Sequence, residues 1–295
     1  MTHLSVALNA SEAAQRFRIP LGEWVDTFID WLTTHLEGLF DALQVALTWI
    51  YDLFFLILSA PPFWLVIAVF AVLAYFARGW GMAIAATLGM LLLVFTNQWD
   101  NSMASLALVL ESSLIAILLG IPLGIWAAKS ATAWRVLRPI LDFLQTMPAF
   151  VYLIPLVVMF SVGVVPGIVA TIFFAIAPAV RFTRLGIIQV DASVVEAAYS
   201  FGASPRRVLG QIELPLSLPT IMAGVNQVIM LSLSMVVTAG MVGAGGLGQA
   251  VYSALTSVDM RLGAEAGLAV VILAVYLDRV TAGLSARGRR EVEAE

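Results

Sequence analysis

Long apolar runs, each cut short by a brief polar stretch, constrain this chain more than any other feature. A helix that crosses a bilayer needs about 20 mostly apolar residues, because lipid offers no partner for an unpaired backbone group. Seven such runs are predicted, near residues 63–77, 82–95, 103–128, 141–160, 164–180, 216–240 and 267–282. Between them fall turn formers and charges: Arg78-Gly79, Asn97-Gln98-Trp99-Asp100, residues 129–139 and residues 181–215. Composition agrees. Only 12% of the 295 residues are charged and 61% are hydrophobic, where a soluble domain carries roughly a quarter charged residues. The expected class is an all-α integral membrane protein of about seven transmembrane helices.

Residues 43–60 are apolar enough for an eighth span, but Asp52 stands in the middle and Pro61-Pro62 closes the run. An interfacial or re-entrant helix is expected there. Were it to cross, the N-terminus would move to the cytoplasmic side. Ahead of it, Leu21, Trp24, Val25, Phe28, Leu32, Leu36, Leu39 and Leu43 recur at helical spacing. Glu23, Asp26, Asp30, Thr33, Glu37 and Asp41 take the opposite face. This predicts an amphipathic helix in the plane of the interface. Its polar face is acidic, which suits a brace on the bundle better than a lipid sensor.

Basic residues collect in cytoplasmic loops. Arg78, Lys129, Arg135, Arg138, Arg181, Arg184, Arg206, Arg207, Arg279, Arg287, Arg289 and Arg290 fall on one side of the seven-span arrangement, and Arg16, Arg18 and Arg261 on the other. The C-terminus is therefore expected in the cytoplasm and the N-terminus outside. Glu12, Arg16 and Arg18 interrupt the first twenty residues, which do not read as a cleaved signal.

Several chemistries are excluded. There is no cysteine, and the only two histidines, His3 and His35, both sit near the N-terminus, so a thiolate nucleophile or a His-rich metal site is not expected. The net charge of −4 gives no footprint for nucleic acid. Residues 124–130 read GIWAAKS, and Ala128 stands where a phosphate loop needs its second glycine. No bound cofactor and no enzymatic site are expected.

The informative stretch is residues 191–215, DASVVEAAYSFGASPRRVLGQIELP. Ser193 and Glu196 have capping-box spacing and are expected to open a short helix. Gly202 offers a left-handed stop. Ser204 and Pro205 suit an N-cap and a first helical position, starting a second helix to about Glu213 that Leu214-Pro215 ends. A helix–Gly–helix element in the cytosol either folds back on the base of the bundle or docks another protein.

Here the chain resembles a known family. Glu196-Ala197-Ala198, then Gly202, then Ile212 and Leu214-Pro215 match the EAA loop of ABC-importer permeases: EAA, three residues, G, nine residues, I-x-L-P. Residues 121–126, 145–152, 202–206, 219–227 and 245–248 are similar to the glycine betaine/proline betaine branch, as is the amphipathic N-terminal helix. The resemblance implies a permease core over residues 101–282, two accessory spans over 62–100 and a cytoplasmic tail over 283–295. It implies two copies of the chain, two copies of a separate ATPase that binds the ATP and docks on the loop, and an extracytoplasmic binding protein that holds most of the specificity. A permease for another small solute and an ion-gradient-driven carrier are the alternatives, although the paired broken helices of such a carrier are not evident.

Inside the spans, Glu111 is the one deeply placed carboxylate, and an intramembrane carboxylate is a functional hypothesis by default. It is expected either to attract a cationic head group or to bond within the bundle. Asn226 and Gln227 are expected either to line a pathway or to bond across helices. Pro122, Pro148, Pro155, Pro166 and Pro178 are candidates for bends.

Overall fold

The computed structural model describes residues 20–292; Arg16, Arg18 and the rest of the segment before Pro20 lie outside them. Among the described residues every regular element is helical. The elements are α1 (Leu21–His35), α2 (Glu37–Ser59), α3 (Phe63–Arg78), α4 (Trp80–Phe95), α5 (Trp99–Lys129), α6 (Ala131–Thr146), α7 (Ala149–Phe160), α8 (Val164–Ile188), α9 (Ala192–Ser200), α10 (Pro205–Val208), a π turn (Leu209–Glu213), α11 (Leu214–Gly240), α12 (Gly246–Ser257) and α13 (Met260–Val292). The chain divides into two units, one ending at Leu43 and one beginning at Gln44.

In the first unit, α1 is amphipathic as its spacing predicts and buries none of its residues. The pattern expected to run on through Leu43 breaks at Leu36, and its last turns belong to α2. Gly38 lacks a β-carbon, and Glu37 suits the positive end of a new helix.

Several expectations need correction. Residues 43–59 are helical as expected, within one longer helix and with no re-entrant turn. α2 is one helix of 23 residues, or about 35 Å at 1.5 Å per residue, so it is long enough to cross. The run at 141–160 is not one continuous helix. It breaks between α6 and α7, which are bent by 97°. Pro148 forces this, since the residue before a proline is held out of the helical region, and Met147 is extended at ψ 134°. The charged stretch 129–139 is mostly helix, part of the amphipathic α6. α8 continues to Ile188 rather than ending at Val180, and α13 runs through the expected tail to Val292. Among the described residues five helices are long and apolar enough to cross a membrane, or six if the bent pair is one span. α3 and α4, at 16 residues each, reach only about 24 Å against an apolar layer of about 30 Å.

Small residues let the core helices touch. In lipid there is no hydrophobic drive between helices, so packing depends on close backbone approach. Gly120 and Gly124 form a G-x-x-x-G stripe on α5. A β-carbon there would lie 2.4 Å from the Ala179 β-carbon and 2.6 Å from that of Thr183 on α8. Gly186 of α8 lies against Ser217 of α11, and Gly224 of α11 against Phe182. The tightest crossing joins α11 to α12, where a β-carbon on Gly248 would stand 2.0 Å from the Val236 carbonyl oxygen. The Leu247 N–H donates to Ser105 Oγ on α5 at 2.8 Å. Tyr276 O–H donates to the Phe70 carbonyl at 3.1 Å and ties α13 to α3.

Candidate functional site

The stretch singled out from the sequence forms a helix–Gly–helix element. Its first cap differs from expectation. Asp191, not Ser193, is the N-cap, and its carboxylate accepts the Ser193 N–H at 2.8 Å. Those bonds from Ser193 hold the Asp191 carboxyl below the usual carboxylate range. The sign follows: the cap stabilises α9 above the ordinary carboxylate pKa, and that stability is lost as pH falls through the lowered value. At the other end, Gly202 adopts φ +81° as predicted. The Ala203 N–H donates to the Ala198 carbonyl at 3.1 Å and the Gly202 N–H to that of Tyr199 at 2.9 Å. This pair of bonds is a Schellman motif, which only a left-handed residue closes without strain.

Beyond Gly202, Ser204 holds the N-cap backbone geometry without a side-chain bond, and Pro205 opens α10. Leu214-Pro215 does not end the second helix, contrary to expectation. The helical backbone runs unbroken from Pro205 to Gly240. Pro215 removes a donor and crowds the turn before it. The π turn just ahead carries a wider hydrogen-bond ladder, the usual device where a helix absorbs an irregularity.

α9 buries no residue, so the element does not fold back on the base of the bundle. Glu196, Ala197 and Gly202 are exposed, and Ala198, Ile212, Leu214 and Pro215 are half-buried. Val194 and Tyr199 are exposed, and Phe201 is 94% exposed at the tip. Only Val208, fully buried, anchors α10 inward. Val194, Tyr199 and Phe201 thus leave apolar side chains of the loop bare.

The base beneath the loop is polar and cross-linked. Lys129, the last residue of α5, pairs with Glu213, the last residue of the π turn. Arg184 donates to the Ala127 carbonyl at 3.3 Å and stacks over Trp134 at 4.2 Å. Arg181 reaches Asp142 of α6 at 2.5 Å.

The three intramembrane candidates separate. Glu111 is fully buried, and neither of its carboxyl oxygens meets a hydrogen-bond partner. Asn226 accepts from Thr281 Oγ1 and joins α11 to α13. Gln227 is exposed. It belongs to a stripe with Ala223, Met230, Ser234, Thr238 and Met241 that no other helix of the chain covers fully. The exposed faces of α3 and α4 are apolar by contrast: Val69, Val72, Leu73 and Phe76 on α3, and Ile84, Leu88, Leu92 and Phe95 on α4.

Residues 120–290 match the family described as the inner membrane component of binding-protein-dependent transport systems. The chain belongs to that family. It is 48% identical over 263 residues to the glycine betaine/proline betaine transport system permease protein ProW of Escherichia coli, covering 89% of this chain and 74% of that protein. It is 46% identical to the glycine betaine permease OpuAB of Bacillus subtilis, over 92% of this chain and 96% of that one. It is also 46% identical to the glycine betaine/carnitine permease GbuB of Listeria monocytogenes, over 92% and 98%. Two structures of the MetNI methionine ABC transporter in inward-facing conformations share the fold. Their TM-scores are 0.56 and 0.57 at 21% identity, over 65% and 67% of this chain and 92% and 95% of theirs.

The inner-membrane permease thus presents a bare loop on one side and a polar helix face within its spans. Sequence reasoning missed two sets of residues. Phe201 lies between the specified positions of the EAA pattern, and only its exposure marks it. Ser234 and Thr238 share the Gln227 stripe, which appears only when the buried faces of α11 are subtracted. The spacing 227, 230, 234, 238, 241 was available as a signal, but apolar neighbours hide it.

Proposed function

We propose that this permease carries glycine betaine and related quaternary ammonium solutes across the membrane, driven by a separate ATPase. The observation that carries the reading is the bare helix–Gly–helix loop bearing Glu196, Ala197, Ala198, Gly202, Ile212, Leu214 and Pro215. It offers an ATPase subunit a rigid apolar surface. Two copies of the chain meet, each presenting one loop to one of two ATPase subunits, and an extracytoplasmic binding protein delivers the solute. ATP is held by the ATPase partner. The solute class follows the relatives ProW, OpuAB and GbuB, whose names include glycine betaine, proline betaine and carnitine.

The test is uptake of radiolabelled glycine betaine in proteoliposomes holding the permease, its ATPase and its binding protein. Uptake should need all three and ATP. Uptake that persists without the ATPase would point to a gradient-driven carrier and overturn the reading.

The pathway runs along the bare face of α11, at the meeting of two copies. A face with Gln227, Ser234 and Thr238 at membrane depth is poorly suited to lipid, and it suits a wet passage. Asn226 and Glu111 then serve the scaffold. Gln227→Leu is expected to lower uptake about tenfold, the scale of one lost hydrogen bond of ~1.4 kcal/mol, with ATPase binding intact. Unchanged uptake takes the pathway off this face.

α2 crosses the membrane in this reading, which returns the N-terminus to the cytoplasm. Its length and apolarity support this. So does charge, since Arg16 and Arg18 then join the cytoplasmic set. The chain has no cysteine, so a single cysteine at Ser11 reports directly. Labelling of intact cells by an impermeant thiol reagent at that position would show the N-terminus outside.

A further inference from the structure

Glu213 lies at the unspecified position of I-x-L-P, yet its side chain is 7% exposed and its carboxylate takes the ammonium of Lys129, 84 residues away in sequence. The two residues occupy corresponding places. Lys129 is the last residue of α5, and Glu213 is the last residue before α11. Between the exposed coupling loop and α11 stands the π turn Leu209–Glu213. A π turn is a local irregularity in the helical ladder and is often found at functional sites. A push on α9 and α10 that travelled only along the backbone would be partly absorbed there.

The ion pair offers a second route. It leaves the π turn at its far end and enters α5 directly. α5 cannot yield alone, because Gly120 and Gly124 seat it against Ala179 and Thr183 of α8, and Arg184 of α8 holds the Ala127 carbonyl near its end. A displacement delivered at Lys129 therefore moves α5 and α8 as one body.

We propose that the Lys129–Glu213 pair is the strut that couples the loop to the α5–α8 pair, so that both are positioning residues for energy transfer. This rests on the loop's reading as the ATPase dock. Glu213 is buried, and Lys129 stands outside the loop at the end of α5, so the strut is separable from docking.

The experiment compares wild type, Glu213→Gln, Lys129→Met and the reversed pair Lys129→Glu/Glu213→Lys in proteoliposomes with the ATPase and binding protein. Three quantities are read: binding of the ATPase, ATP hydrolysis, and glycine betaine taken up per ATP hydrolysed. The single variants should bind the ATPase as wild type does and hydrolyse ATP, with uptake per ATP down about tenfold. The reversed pair should recover to within about twofold of wild type. A merely structural pair would lower yield, uptake and hydrolysis together and leave uptake per ATP unchanged, which overturns the proposal. So does a reversed pair no better than the single variants. Loss of ATPase binding to the wild-type permease would instead remove the docking reading, a result distinct from either.

Discussion

Gly248→Ala should abolish accumulation of folded permease in the membrane. One methyl group is added, but it has nowhere to go. The new β-carbon would stand 2.0 Å from the Val236 carbonyl oxygen and 2.8 Å from its carbon. Those are backbone atoms of α11 near its C-terminal end, not the movable end of a side chain. From the other side, a β-carbon on Gly240 would meet the Gly248 carbonyl carbon at 2.1 Å and the Gln249 nitrogen at 2.3 Å. Overpacking a core with side chains typically costs about 1–3 kcal/mol. A clash of backbone with backbone exceeds that range, and total stabilities are only about 5–15 kcal/mol. The crossing also sets the Leu247 N–H on Ser105, so its loss frees a buried donor and acceptor. Gly263→Ala is the control. Its β-carbon meets only Ala254 Cβ at 3.5 Å, an ordinary contact. Yield and thermal stability of the detergent-solubilised protein should collapse for Gly248→Ala and hold for Gly263→Ala. Equal behaviour of the two would refute this account of the crossing.

Phe201→Ala should leave the permease folded and deprive it of its ATPase. Phe201 is 94% exposed, so it contributes almost nothing to the packing of the chain. Its truncation also spares Gly202 and the two bonds of the Schellman motif. Aromatic residues dominate binding energy where they fill a partner's pocket, and truncating one costs about 2 kcal/mol or more. That corresponds to roughly thirtyfold weaker association, with ATP-driven uptake falling in step. Val208→Ala provides the contrast. Val208 is fully buried, so its loss should reduce stability first and ATPase binding only secondarily. Titration of the solubilised permease with purified ATPase decides it, and unchanged affinity in Phe201→Ala would move the dock elsewhere on the loop.

Much of the core was legible because the membrane makes the relation of sequence to structure nearly one-dimensional. A span must satisfy its own backbone, so apolar length alone located α5, α8, α11 and α13. The loop was legible for a local reason. Gly202 and Pro205 act on their own backbone dihedrals, whatever lies around them. The errors arose where a neighbour in space decides. Leu214-Pro215 looked like a stop because proline usually is one, but the π turn ahead of it lets the helix continue.

The sequence by itself determined that the chain lives in lipid, where its principal spans lie, and which loop is built as helix–Gly–helix. Each of these depends on the length of an apolar run or on the conformational limits of one or two residues. Only the tertiary structure decided which side chains serve the scaffold and which stay bare. Asn226 and Gln227 are adjacent in sequence and similar in chemistry. The 100° turn between successive helical residues sets one against Thr281 and leaves the other on the open face of α11. Likewise, nothing local marks Glu213 as the partner of Lys129. That pairing exists because close glycine packing brings the end of α5 to the start of α11, and packing is a property of the whole bundle.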